Sequence, residues 1–83
     1  MITRATVSWM RTILLAPSAV AKAAALAAGT REERWMLMQP RAVRRSYVEE
    51  VVDRPHDPRA RERWMLRQPE SVRLSYVADV LDD

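Results

Sequence analysis

Residues 33–53 read ERWMLMQPRAVRRSYVEEVVD, and residues 62–82 read ERWMLRQPESVRLSYVADVLD. Aligned over Arg31–Asp53 and Ala60–Asp82, the two stretches agree at 14 of 23 positions with an offset of 29. Recurrence at a fixed spacing marks an internal repeat. Most positions that differ carry a charge in at least one copy, as solvent-facing positions do. The aromatic and most of the aliphatic positions are kept.

Each copy reads as two helices joined at a sharp corner. Thr30 with Glu33 three residues later has the spacing of a capping box, and Gly29 is placed to end a preceding helix in the left-handed conformation. The first helix is expected from Arg31 to about Met38, because Pro40 disfavours the α conformation at Gln39. Proline suits the first turn of the next helix, which should run from Pro40 to about Val52. Gln68-Pro69 repeats the scheme. The link DRPHDP, residues 53–58, stiffens the join, and Asp57-Pro58 reads as the cap and first position of the following helix. Val43, Tyr47 and Val51, with Val72, Tyr76 and Val80 in the second copy, form one apolar stripe per helix. A hairpin this short has too little core to stand alone, so the copies should pack on each other or on a partner. The exchange of Met38 for Arg67 and of Arg45 for Leu74 suggests that Met38 and Leu74 pack together where the copies meet.

The expected fold is all-α: a small bundle of two tandem helix-corner-helix repeats plus N-terminal helices. The chain divides into an alanine-rich segment 1–30, a first repeat 31–54, a link 55–58 and a second repeat 59–83. A chain of 83 residues makes one small domain and buries only about 60–65% of its unfolded surface. It has no cysteine for a disulfide or thiolate site and a single glycine, whereas alanine, arginine, leucine, methionine and glutamate favour helix.

In segment 1–30 a helix is expected from about Ser8 to Leu15 and another from Ala19 to Ala28, broken at Pro17. Trp9, Met10, Ile13, Val20, Ala24 and Ala27 would face the repeats. The same segment also reads as a degenerate third copy, through Trp9-Met10 and Pro17–Val20, or as a targeting segment, since it has cations and no acid.

Charge and chemistry narrow the function. The net charge of +3 belongs to Arg4, Arg11 and Lys22; residues 31–83 hold eleven arginines against eleven acids. A phosphate-tracking surface wants surplus cations. His56 is the lone histidine, in the link, so no metal-ligand set can form around it. No glycine-rich phosphate loop exists, and Ser46 and Ser75 cannot both have a histidine base. Neither an enzyme, nor a cofactor, nor a small-molecule substrate is expected.

A non-catalytic interaction or assembly protein is expected, an adaptor binding a protein partner or another copy of itself. Two similar surfaces on one chain would grip a repeated partner twice. Candidate partner-binding residues are Trp35, Met36, Leu37, Arg44 and Tyr47, with Trp64, Met65, Leu66, Arg73 and Tyr76. Trp, Tyr and Arg are enriched at interface hot spots, although aromatic core packing competes for the same residues. Three bulky residues in a row cannot share one narrow stripe, which leaves Met36 or Leu37 for another chain. Arg44 and Arg73 could pair with Glu33 and Glu62 or with Asp53 and Asp82. The alternatives are a helix-turn-helix-like nucleic-acid binder using Arg41, Arg44 and Arg45, and an accessory protein that reaches a membrane or organelle through residues 1–30. The absence of cysteine fits a reducing compartment, and a cytoplasmic location is expected.

Overall fold

The structure is a computed structural model that describes residues 4–54 and 56–82, with side-chain environments from Ser8 onward. The described residues form six helices and no strand: α1 (Arg4–Leu15), α2 (Ala19–Ala28), α3 (Arg31–Leu37), α4 (Arg41–Tyr47), α5 (Ala60–Leu66) and α6 (Glu70–Tyr76). The all-α class follows. Both α4 and α6 continue into a wider π-helical turn, over Val48–Val52 and Val77–Leu81, closed by the Asp53 and Asp82 N–H groups donating to the Val48 and Val77 carbonyls.

Local chemistry sets the boundaries. Thr30 caps α3 through a full capping box: the Glu33 N–H donates to Thr30 Oγ1 at 3.1 Å, and the Thr30 N–H donates to Glu33 Oε1 at 3.3 Å. The helix stops at Leu37, one residue before the expected end, in a tight turn where the Met38 and Gln39 N–H groups reach the Trp35 and Met36 carbonyls. Such i to i−3 bonds satisfy the last carbonyls of a helix. Gln39 then donates its side-chain amide to the Trp35 carbonyl at 3.2 Å, and Gln68 does the same to Trp64 at 3.2 Å. Pro40 and Pro69, both extended (ψ 153° and 154°), precede α4 and α6 rather than open them.

Two other boundary expectations are corrected. Gly29 is not left-handed: its φ is −72° and its ψ 166°, and its N–H donates to the Ala25 carbonyl at 2.7 Å. Glycine is needed there for closeness, since a Cβ would lie 2.4 Å from that carbonyl oxygen. Helix α5 begins at Ala60, later than Asp57-Pro58 suggests. Asp57 Oδ1 instead accepts the Arg59 N–H at 2.9 Å in a turn that leads into the helix. Pro55, within the expected link, lies outside the described residues.

Each first helix packs on the second helix of the other unit. Helix α3 lies against the π turn after α6, and α5 lies against the π turn after α4. The aromatic contacts repeat this exchange. Trp35 meets Tyr76 at 5.2 Å and 79°, Trp64 meets Tyr47 at 5.0 Å and 80°, and the two tryptophans meet each other at 6.4 Å and 85°. Swapping 35 with 64 and 47 with 76 maps this set of ring contacts onto itself, so the aromatic cluster has an approximate two-fold arrangement. Edge-on aromatic pairs add about 0.5–1.5 kcal/mol each beyond the area they bury.

The N-terminal helices cover one side only. Helix α1 lies on α3, on α4 and on its π turn, and α2 lies on α3. The buried side of α1 is Ile13 and Leu14 with Met10 beside them, and that of α2 is Ala25 with Ala21. Met10 and Ile13 lie inward as expected, but Trp9 is half-exposed, and Val20, Ala24 and Ala27 are exposed. Trp9 does not enter the aromatic cluster that Trp35 and Trp64 share.

Candidate functional site

The aromatic candidates are core residues. Trp35, Tyr47, Trp64 and Tyr76 are almost fully buried, as are Met36 and Leu37 of the first unit. The expectation that Met36 or Leu37 is left for another chain is corrected: α1 lies over that side of α3 and buries both.

Among the described residues, no helix covers the equivalent face of the second unit. Leu37 is 3% exposed but its counterpart Leu66 is 65%; Val48 is 0% but Val77 is 43%; Val52 is 5% but Leu81 is 62%. Met65, counterpart of the buried Met36, is partly exposed. Arg61, Glu62, Met65, Leu66, Tyr76 and Leu81 line an open groove of about 230 Å³ on this face. On the first unit, Glu32, Glu33 and Tyr47 line a remnant of only about 20 Å³, closed by Met10 and Leu14 of α1. The groove thus unites Met65, Leu66 and Tyr76 of the predicted set.

Arg44 and Arg73 stand apart from it. Both are half-buried, and among the described residues neither makes the expected ion pair with Glu33, Glu62, Asp53 or Asp82. Arg41 and Arg45 flank a wide, shallow hollow on α4 with Ala42, Ser46 and Glu49. The counterparts of Arg41 and Arg45 in the second unit are Glu70 and Leu74, so the two cations of this hollow are not repeated. Met38 and Leu74, expected to pack together, are both about two-thirds exposed and outside the core. Arg67, which replaces Met38, instead pairs across the units with Glu50 at 2.7 Å. That hydrogen-bonded guanidinium holds the Glu50 carboxyl below the usual carboxylate range.

Charge on the two-fold is asymmetric. Glu32 and Arg61 are equivalent positions, and they meet, with Arg61 Nη2 at 3.0 Å from Glu32 Oε2. The Tyr47 hydroxyl donates to Glu32 Oε1. Burial, and then the neighbouring Glu32 carboxylate, push the Tyr47 phenol far above its ordinary range, so it remains a donor. Tyr76 is pushed up by burial first and Glu32 second, against the lowering effect of Arg61 beside it.

Sequence reasoning missed three features: the amides of Gln39 and Gln68, the Glu32–Arg61 pair, and the bare second face. The shared Gln in both copies was the available signal for the first, and the charge reversal at one aligned position for the second. Among the described residues, no three His, Asp or Glu side chains gather in a metal-binding cluster. No single described helix is long and apolar enough to cross a membrane; Ser8–Leu15 and Ala19–Ala28 pass that test only together, across a bend of 111°. No protein-family model, no curated protein and no solved structure matches the chain.

Proposed function

We propose that this chain is a non-catalytic adaptor, built from two tandem helical repeats, that binds a protein partner through the bare face of its second unit. The observation that carries this reading is the contrast at one pair of equivalent positions, Leu37 under α1 and Leu66 in the open. Contiguous apolar surface rimmed by polar residues is a mark of interaction sites. The aromatic residues hold the scaffold, and Met65, Leu66, Val77 and Leu81 do the binding. Nucleic-acid binding has weaker support, since Arg41 and Arg45 are not repeated in the second unit and residues 31–83 carry no surplus of cations.

The test is site-specific photo-crosslinking in cells that express the chain. A crosslinking amino acid at Leu66 should yield discrete protein adducts. The same group at Ala42, on the exposed side of α4, should yield none. Equal adduct patterns at both positions, or none at Leu66, overturn the reading.

A further inference from the structure

The first unit displays what fits the face that the second unit leaves bare. Helix α1 seats Met10, Ile13 and Leu14 on the first unit, and Arg11 Nε lies 3.4 Å from Asp53 Oδ1 at the end of the π turn. A cation is doubly favoured there, by the carboxylate and by the negative end of the helix dipole. The second unit keeps two elements of that seat, although Arg59 and Arg61 replace Thr30 and Glu32. It has the apolar groove, and it has Asp82 at the position equivalent to Asp53.

The rim charges select the occupant's sign. Arg61 is already engaged with Glu32, and Arg63 with Asp57. Glu62 and Asp82 make no ion pair with any described residue. Glu33, the counterpart of Glu62, is buried in the capping box of Thr30, whereas Arg59 stands at the position equivalent to Thr30 and leaves Glu62 exposed. Arg59 is itself an exposed cation without an ion pair three positions before Glu62, so the acid left uncompensated is Asp82 at the end of the π turn, and a basic residue on the occupant is complementary there.

We infer that the groove of the second unit receives an amphipathic helix of another protein, carrying the pattern of α1: an aliphatic residue, an arginine or lysine beside it, and aliphatic residues two and three positions further on. This rests on the adaptor reading and names the partner's chemistry. A second copy of the chain is the poorer source. Each chain has one α1 and two faces to cover, so exchanging α1 between copies leaves as many faces bare as before. The basic residue of the incoming helix pairs with Asp82, and its aliphatic residues cover Leu66, Val77 and Leu81.

The probe is a fluorescent peptide of residues 4–16 of this chain, titrated against the full chain and read by anisotropy. Saturable binding is expected. Leu66→Arg should weaken it at least about tenfold, the scale of one lost buried leucine contact. Asp82→Lys should weaken it by about twofold to fivefold, as for an exposed ion pair, and a peptide carrying Arg11→Glu should recover that loss against Asp82→Lys. Circular dichroism of both variants should match the parent, because the altered residues are exposed. No binding overturns the inference. So does binding that Leu66→Arg leaves unchanged, which means the peptide displaces α1 from the first unit. A concentration-dependent dimer in sedimentation, abolished by Leu66→Arg, would assign the face to a second copy. That result overturns the helix partner while leaving the face an interaction surface; the loss of crosslinks at Leu66 is the separate failure of the adaptor reading.

Discussion

The first and second units share the same Trp-Met-Leu run, the same Gln-Pro corner and the same Ser-Tyr-Val, and they differ in what lies over them. Toward each other they are equivalent: each tryptophan meets the other unit's tyrosine at about the same distance and angle. Away from each other they diverge, one under α1 and the other bare. A side chain's identity therefore fixes its role only on the shared side. Leucine 37 is structural and leucine 66 is surface, although the seven residues around each are nearly the same.

That comparison can be broken most severely at the shared side. Trp35→Ala and Trp64→Ala should each cost about 3–5 kcal/mol, the range for deleting a buried tryptophan. A domain this size holds only about 4–12 kcal/mol in total. Urea denaturation of both variants checks the equivalence. A large loss for one and a small loss for the other would mean that the two-fold cluster does not share its load.

The outer faces should respond unequally. Leu37→Ala should cost about 2–4 kcal/mol, and Leu66→Ala should stay within about 0.5 kcal/mol, as exposed substitutions do. Equal costs in the same urea series would show that the second face is covered in solution.

The smallest effect separates the two tyrosines by pH. A phenol whose folded pKa is raised is held neutral, so its stabilising effect is complete below the ordinary tyrosine value of 10.0 and is lost as pH climbs above it. A phenol that stays neutral in the fold throughout that range contributes a slope approaching about 1.4 kcal/mol per pH unit, and one that ionises within it contributes less. Tyr47→Phe should flatten the fall in thermal midpoint between pH 10 and 11 more than Tyr76→Phe does, because Tyr47 has Glu32 against its hydroxyl and Tyr76 has the cation of Arg61 beside it. Equal flattening would mean that both phenols stay neutral in the fold throughout that range.

Much of the helical scheme is legible in the sequence because it is local. The capping box at Thr30 and Glu33, the stops before Pro40 and Pro69, and the all-α class depend on residues within a few positions of one another. The side of α1 that turns inward is not local. Trp9 and Val20 looked apolar enough to be buried, yet Leu14 and Ala25 join the expected Ile13 inside instead. The candidate site was legible in part. Met65, Leu66 and Tyr76 were named, but so were their counterparts in the first unit, since periodicity alone cannot tell a covered copy from a bare one. Val77 and Leu81 went unnamed because nothing in their own stretch records the missing helix.

The meeting of Glu32 with Arg61 carries a rule about mispairing. Two first units from different chains, brought together in the same two-fold way, would set Glu32 against Glu32; two second units would set Arg61 against Arg61. Only unlike units satisfy the contact, and within one chain each has its complement permanently tethered at high effective concentration. A crowded population of such chains, folding side by side, thus has a charge-encoded bias against joining like halves.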